Sequence, residues 1–448
     1  MASDDISVEQ QPLSLLQRNH EELLAVLRGG ERFGSHGDGR RGIGISLQRF
    51  IRNRATGSAV GYPGDTGAGA LLVQLAGLYP GCVVKEESGN AFAFGCEVMA
   101  GDESIGMSVS LGPGAQLECA VGPSTSLASL LGIFDSFDRN FHVAARSMGC
   151  DYDLVAEGYN PMVASPLDLP LVPRTEYALF NLHYAKTGRY GRDAMRACAS
   201  TKVTIDYGDE ADAIQTYRLA AALCPLTMFL TDNSRTLRGS DPKHTSRMVR
   251  SIVWDDVDPE RSGMAPGTFD QDFSFERYVA WMESVHPVGY SDGLGGCTAT
   301  NKQTTAEVMA EKALSGSEVM SLFSTVHPDV RFKRFIELEQ ADSLRPRSAV
   351  AYAAFLKGLF YDDESFAAAR DLLAHVTEED VWHAKETLRA LAWNGNVYGM
   401  PVPDLVQRLI DIARAGLKDP AERALMDEVA LPWEVRMVPR DTLVRNAG

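Results

Sequence analysis

The stretch GIGISLQRF, Gly42 to Phe50, has the alternation of a β-strand with two different faces. Apolar side chains alternate there with small or uncharged polar ones. The apolar set is Ile43, Ile45 and Leu47, and the other set is Gly44, Ser46 and Gln48. The apolar set predicts a face turned to the core. The other face raises the question of why it carries a hydroxyl and an amide rather than carboxylates.

Three later segments alternate in the same way: SVSLGPGAQLEC (108–119), KVTIDY (202–207) and FIELEQAD (335–342). Their polar positions are Ser108, Ser110, Gly112, Gln116, Glu118, Lys202, Thr204, Asp206, Glu337 and Glu339. Several strands with one apolar and one polar face indicate an antiparallel sheet that helices cover on its apolar side. The sequence therefore predicts an α+β fold, in which the polar side of the sheet either faces water or lines a funnel.

Composition sets the broad class of the protein. The chain has 448 residues, with 43 Lys and Arg against 60 Asp and Glu, and a net charge of −17. Such a field repels nucleic acid and anionic lipid, so neither is an expected partner. The sequence contains no run of about 18 apolar residues, so we expect no membrane-spanning helix. The acidic start MASDDISVEQ lacks an apolar signal core. Seven scattered cysteines without a Cys-x-x-Cys motif favour buried thiols, so we expect a cytoplasmic protein.

Helical spacing of apolar residues predicts helices over 13–27, 124–148, 175–186 and 209–229, and a mostly helical end from residue 348. We therefore expect three regions along the chain. They are an N-terminal tail and helix (1–41), a domain that contains the sheet (42–345) and a C-terminal helical region packed on that domain (346–448).

Five ordered segments resemble the bacterial and plant type of glutamate–cysteine ligase, a family related in fold to glutamine synthetase. They are SLGPGAQLECAVGP (110–123), MRACASTKVTIDYGDEAD (195–212), RSIVWDDVDPERSGM (250–264), FSFERYVAWM (273–282) and FSTVHPDVRFKRFIELEQADS (323–343). The resemblance implies a curved antiparallel sheet that forms a funnel for ATP, two or three Mg²⁺ ions, glutamate and cysteine. It also implies phosphorylation of the glutamate side-chain carboxylate by ATP, followed by attack of the cysteine amine to give a γ-glutamyl amide.

The resemblance also answers what the opening strand lacks. The family has Glu-x-Glu as metal ligands where this chain has Ser46 and Gln48, and a further glutamate where it has Gly112. Glu118 remains. Other departures are Ala197, Lys202, Thr204 and Glu339, and Glu176 replaces an arginine of the family. Losing three carboxylates removes about three unit charges from a magnesium cluster, and neutral Ser and Gln are weak ligands for so hard an ion.

The family pattern implies roles for the residues of this chain that match it, and Lys202, which departs from the pattern, is a candidate because of its charge. Arg250 and Arg196 are the candidate catalytic residues, and Arg331, Trp254, Lys202 and Gln116 are the candidates for binding substrate or nucleotide. Glu118 and Glu337 are the candidate metal ligands. Two alternatives stay open for the altered face. In the first, Glu337, Glu339 and Asp206 rebuild a metal site; in the second, Lys202 places a fixed positive charge where an ion would sit.

Two functional hypotheses follow. The first is an ATP-dependent carboxylate–amine ligase of the glutamate–cysteine ligase type, with altered metal or substrate use. The second is a degenerate relative, a pseudoenzyme that works by binding a small metabolite or an active partner, which includes an active paralogue. ATP and Mg²⁺ are the cofactors that the resemblance implies, amino-acid substrates are the expected small-molecule partners, and a homo-oligomer is compatible with both hypotheses.

Overall fold

The computed structural model describes residues 13–31, 41–234, 236–240, 247–293 and 296–437. The predicted N-terminal tail and the last residues of the predicted C-terminal region lie outside this part of the chain. The strands are β1 (Ile43–Asn53), β2 (Val83–Glu87), β3 (Asn90–Ala100), β4 (Glu103–Leu111), β5 (Leu117–Ser124), β6 (Tyr152–Val155), β7 (Ser200–Ile205), β8 (Ser262–Gly263), β9 (Gly289–Ser291), β10 (Cys297–Ala299), β11 (His327–Pro328), β12 (Val330–Phe332), β13 (Ile336–Asp342), β14 (Asn396–Val397) and β15 (Met400–Pro401).

The helices alternate with these strands in the first three quarters of the chain and dominate its end. They are α1 (Leu15–Arg28), α2 (Ala68–Ala76), α3 (Leu127–Ser147), α4 (Thr175–His183), α5 (Gly191–Ala197), α6 (Glu210–Thr231), α7 (Val249–Trp254), α8 (Phe275–Ser284), α9 (Thr305–Glu311), α10 (Gly316–Leu322), α11 (Pro346–Phe360), α12 (Asp363–Leu373), α13 (Glu378–Leu391), α14 (Val402–Gly416) and α15 (Pro420–Met437).

A nine-stranded sheet organises the molecule. Its order is β12-β13-β7-β1-β5-β4-β3-β2, with β6 paired to the far end of β1. All of its pairings are antiparallel. The α+β prediction with an antiparallel sheet and helices behind it is therefore confirmed.

The opening strand β1 lies in the middle of this sheet with the two faces that its sequence predicts. Ile43, Ile45 and Leu47 are at most 2% exposed and belong to the hydrophobic core. On the other face, the register places Ser46 opposite Lys202 of β7 and Gln48 opposite Glu118 of β5. The polar residues of β7, β1 and β5 thus form one row across the sheet.

The predicted helices are confirmed with small shifts at their ends. The helix predicted from residue 124 begins at Leu127, because Ser124 still belongs to β5 and the Ser126 hydroxyl accepts the first hydrogen bond of the helix from the Ser129 N–H. The helix predicted over 175–186 ends earlier, at His183. The helices from residue 346 onward share one hydrophobic core with the sheet and α1, and this core runs from Leu23 to Trp433.

Helix α6 is the one described helix that is long and apolar enough to cross a membrane by length and composition alone, and 89% of its most apolar stretch is buried inside the protein. It is a core helix that packs behind β13. All seven cysteines are free thiols.

Candidate active site

A cavity of about 350 Å³ lies against the polar row of the sheet. Strands form its floor, and α4, α5 and α7 form its walls. The floor residues are Gln48, Ser110, Glu118, Lys202, Arg331 and Glu339, and the wall residues include Tyr177, Phe180, Tyr184, Met195, Arg250 and Trp254. Most of the residues that the resemblance implicates are thereby brought together from distant parts of the chain.

The polar face of the opening strand contacts a retained glutamate. The Ser46 hydroxyl donates a hydrogen bond of 2.6 Å to Glu118 Oε1. Gln48 lies opposite the same glutamate in the strand register. Two neutral side chains therefore surround Glu118 where the family pattern has two further carboxylates.

Lys202 lies between two carboxylates on this face. Its ammonium nitrogen is 3.4 Å from Glu118 Oε1 and 3.0 Å from Glu339 Oε1. Burial by itself would lower the pKa of Lys202, but the charges of Glu118 and Glu339 outweigh burial and raise it. Lys202 is therefore a permanent cation at the centre of the row.

A second set of charges completes the floor. The Arg331 guanidinium donates to Glu337 Oε2 over 2.9 Å through Nε, and Lys333 Nζ lies 3.1 Å from the same oxygen. Burial opposes ionisation of Glu337, yet Arg331 and Lys333 hold its pKa well below the ordinary value. Burial also favours the neutral form of Glu339, but the charges of Lys202 and Arg331 outweigh it and lower the pKa of Glu339 to about 2. Both glutamates are ionised and paired.

The implied magnesium cluster does not fit this arrangement. Mg²⁺ binds oxygen ligands in octahedral geometry, but Glu118, Glu337 and Glu339 each already contact a fixed cation. Within the described residues, no group of three or more His, Cys, Asp or Glu side chains has an arrangement that could hold a metal ion. The alternative through Asp206 gains no support either, since its carboxylate accepts the Gly42 N–H over 2.8 Å.

Gly112 stands where the family has a glutamate, and neighbouring side chains fill the space that a glutamate side chain would need. A Cβ atom added at Gly112 would meet Gln116 Oε1 at 2.8 Å and Gln48 Nε2 at 3.1 Å. The Gln116 amide is fixed in turn, because it accepts from the Gly114 N–H over 2.8 Å and donates to the carbonyls of Met195 and Cys198. Gln116, predicted to bind a ligand, thus lines the cavity while its own amide braces the loop between β4 and β5.

Arg250 and Trp254 lie on α7 and face the floor from the opposite side. The Arg250 guanidinium carbon is 5.6 Å from the centre of the Trp254 ring. Arg250 is 5% exposed and donates to the Gln340 carbonyl over 3.2 Å. Its Nε and the Trp254 Nε1 are buried donors without an acceptor, and such donors cost about 1–3 kcal/mol each when they stay unpaired.

Ion pairing distinguishes Arg250 from the other cations of the cavity. Lys202, Arg331 and Lys333 all have carboxylate partners within 4.0 Å. Among the described residues that line the cavity, Arg250 is the one cation for which no such ion pair exists. The charge of Arg250 acts on the buried carboxyl of Asp342, which lies beyond ion-pair distance, so the remaining N–H groups of Arg250 are available to an anionic ligand.

Arg196 is placed differently from the prediction. Its guanidinium donates to the Leu169 carbonyl over 3.0 Å and to the Asn181 side chain over 2.8 Å. It does not belong to the residues that line the cavity, although its neighbours on α5 do. Burial, followed by the charge of Arg192, lowers the pKa of Arg196. A catalytic role for Arg196 stays a prediction without a contact to support it.

The aromatic wall of the cavity was predicted only at Trp254; its other members, Tyr177, Phe180 and His327, were missed by sequence reasoning. Phe180 and Trp254 flank His327, each with its ring centre 6.1 Å from the imidazole. Burial, together with the charge of Arg331, lowers the pKa of His327 to about 3, so this ring is neutral at ordinary pH. The i, i+3 spacing of Tyr177 and Phe180 on α4 was the available signal, but it equally fits a helix that packs on a core.

A second cavity of about 720 Å³ lies on the same face of the sheet, toward β3. Glu118 and Lys202 line both cavities. The floor of the second cavity consists mainly of small residues of neighbouring strands, such as Gly44, Gly95 and Gly106. The face therefore offers two compartments that meet at the Glu118–Lys202 pair.

Sheet, cavity and polar row together define an α+β protein with a charged cavity on the open face of an antiparallel sheet. Residues 80–406 match the model of glutamate-cysteine ligase family 2 (GCS2), and the chain belongs to that family. The chloroplastic glutamate–cysteine ligase of Arabidopsis thaliana is 31% identical over 293 residues, which cover 63% of this chain and 55% of the relative. Glutamate–cysteine ligase B of Oryza sativa subsp. japonica is 28% identical over 344 residues, covering 74% and 66%.

The chain thus spans between about half and two thirds of the length of these curated relatives. A solved structure of the prokaryotic ubiquitin-like protein Pup with its ligase PafA aligns over 89% of this chain and 64% of the other, with 10% identity and a TM-score of 0.41. A similarity of that size carries no argument about this chain.

Proposed function

We propose that this member of the glutamate–cysteine ligase family is an ATP-dependent carboxylate–amine ligase that forms a γ-glutamyl amide through an acyl phosphate, with altered metal use. Family membership supports the reaction class. The observation that carries the proposal is the state of Arg250 and Trp254, two neighbours on α7 in the wall of the cavity. Together they provide a cation without an ion pair and two donors without acceptors.

In this proposal, Arg250 binds and orients the carboxylate of an amino-acid substrate. A guanidinium offers N–H groups in a planar fork that matches a carboxylate. Phe180, His327 and Trp254 form an uncharged wall beside it, which excludes water and strengthens the ionic contact. Glutamate is the donor that the relatives' names imply.

The floor would supply fixed N–H donors for the oxygens of a phosphorylated intermediate. Fixed Lys and Arg side chains can stabilise charge on a transferring phosphoryl group, as metal ions do. Lys202, Arg331 and Lys333 are aligned on that floor, each paired with a carboxylate. ATP, when bound, would supply the phosphoryl group, and the metal ion that accompanies a nucleotide would arrive with it.

The test combines carboxylate binding with turnover. Calorimetric titration with L-glutamate should show binding that Arg250→Gln weakens by about ten- to a hundredfold, because a hydrogen-bonded charge pair contributes about 1.5–3 kcal/mol. Arg54→Gln is the matched control, since this arginine is half exposed and remote from the cavity. ADP release in the presence of glutamate, ATP, Mg²⁺ and a panel of amines should depend on Arg250 as well. Unchanged binding and turnover in Arg250→Gln would refute the proposal.

A second candidate is the pseudoenzyme, which binds the carboxylate without turnover and passes the signal to a partner. The contact that favours it is the closure around Gly112, where Gln116 and Gln48 occupy the room that a family glutamate needs. Glutamate binding that depends on Arg250, combined with no ADP release for any amine, would identify this candidate.

A further inference from the structure

The Lys202 ammonium lies between two carboxylates on the floor, a position where a positive charge is stabilised. Lys202 lies on β7, between β1 and β13, and its ammonium faces the junction of the two cavities. Glu118 approaches from one side and Glu339 from the other. The register places Ser46, one of the neutral replacements, directly opposite.

The charges on this floor balance. Three carboxylates, Glu118, Glu337 and Glu339, face the three cations Lys202, Arg331 and Lys333. Each carboxylate has a cationic nitrogen within 3.4 Å. A divalent ion that entered this face would have to displace an ammonium from its carboxylates and then compete with like charge at short range.

We propose that the Lys202 ammonium is a resident cation that replaces a divalent metal ion on this face, so that the protein holds no divalent metal there before a nucleotide binds. The proposal rests on the altered metal use of the proposed function and does not depend on turnover. An ammonium is a point charge with three donors. Its two ion pairs leave one N–H for an oxygen of a ligand in either cavity.

The proposal predicts a gain of metal binding when the lysine is removed. Lys202→Gln releases Glu118 and Glu339 from their cation and adds an amide oxygen, and oxygen ligands of this kind bind Mn²⁺ and Mg²⁺. The nucleotide-free protein is titrated with Mn²⁺, and the electron paramagnetic resonance signal of the free ion reports how much is bound. The wild type should show no saturable binding at micromolar Mn²⁺. Lys202→Gln should bind at least tenfold more tightly than the wild type.

The matched control is Lys85→Gln, which removes the same charge from an exposed position of β2 and should leave Mn²⁺ binding at the wild-type level. Lys202→Arg, which keeps the cation, should also not bind. The proposal would be overturned if the wild type bound Mn²⁺ saturably and Glu118→Gln abolished that binding. It would also be overturned if Lys202→Gln folded but bound Mn²⁺ no more tightly than the wild type. If Lys202→Gln does not fold, the wild-type titration decides the question. No nucleotide or amino acid enters the experiment, so an inactive ligase would not affect its result.

Discussion

Gly112 permits a direct test of whether the floor has closed around the missing glutamate. In Gly112→Ala, the new Cβ would lie 2.8 Å from Gln116 Oε1, a distance at which one of the two atoms must move. Gln116 cannot swing away freely, because three hydrogen bonds tie its amide to backbone groups. Overpacking of this kind costs about 1–3 kcal/mol, while the loss of glycine freedom in the unfolded chain returns about 0.4–1 kcal/mol. We expect a net loss of about 1–2 kcal/mol in the free energy of unfolding.

The assay is urea unfolding in a double-mutant cycle with Gln116→Ala. Removing the Gln116 amide also removes the obstacle, so Gly112→Ala should be close to neutral in that background, and the coupling energy should be about 1–2 kcal/mol. Gly95→Ala is the matched control, since its Cβ would meet its nearest atom, the Met107 carbonyl oxygen, at 3.8 Å. That variant should be neutral or slightly stabilised. A neutral Gly112→Ala in the wild-type background, or a coupling energy near zero, would refute the closed floor.

Three further predictions concern a buried ion pair of Lys385, the ionised Glu339 and the hydrogen bonds of the Tyr361 hydroxyl near the first strand. Lys385→Met should lower the free energy of unfolding by about 3–5 kcal/mol in urea titrations, because it removes the ion-pair partner of Asp329, 2.8 Å from the buried ammonium, and leaves Asp255 with Arg389 alone. A loss below about 1 kcal/mol would contradict this. Glu339 has a folded-state pKa lowered to about 2, so its contribution to stability is present above pH 4.5 and is lost as the pH falls toward 2. The difference in unfolding free energy between the wild type and Glu339→Gln should therefore shrink over that range, and a constant difference would argue against the pairing. Tyr361→Phe should cost about 1–2 kcal/mol in thermal unfolding, because the hydroxyl accepts from the Asp206 N–H just after β7 and donates to the Gly42 carbonyl just before β1. An unchanged midpoint would show that this bridge does not stabilise the fold.

The sequence predicted the sheet well because alternation is a local property. The two faces of β1 follow from the order of Ile43, Ser46 and Leu47, and burial confirms them. Lys202 and Glu118 could likewise be assigned to the polar face from parity alone. Their contact could not be predicted from parity, because it depends on strand order and register between segments that lie more than 80 positions apart.

The walls were harder to predict than the floor. Arg196 has the family-like context of a strand start, but it lies on α5 and its guanidinium is bound to a carbonyl and an amide outside the cavity. His327 was not among the predicted site residues, yet it lines the cavity between Phe180 and Trp254. The orientation of α5 decides the outcome for Arg196, and the spacing of residues within a helix does not determine that orientation. The outcome for His327 depends on where β11 lies relative to α4 and α7, which is a tertiary property.

The position of the unpaired donors argues that the altered face is a maintained structure. If carboxylates had simply been lost, buried charges without partners would remain on the floor. Within the described residues, the side chains of Glu118, Lys202 and Glu339 contain no buried polar atom without a partner. The buried donors that do lack acceptors include those of Arg250 and Trp254, on the opposite wall. Unpaired buried donors also occur outside the lining of the cavity, for example at Arg49 and Arg261. What distinguishes the two sides of the cavity is that the charged floor satisfies its own side chains, whereas the Arg250–Trp254 wall keeps two donors that a ligand carboxylate would accept from.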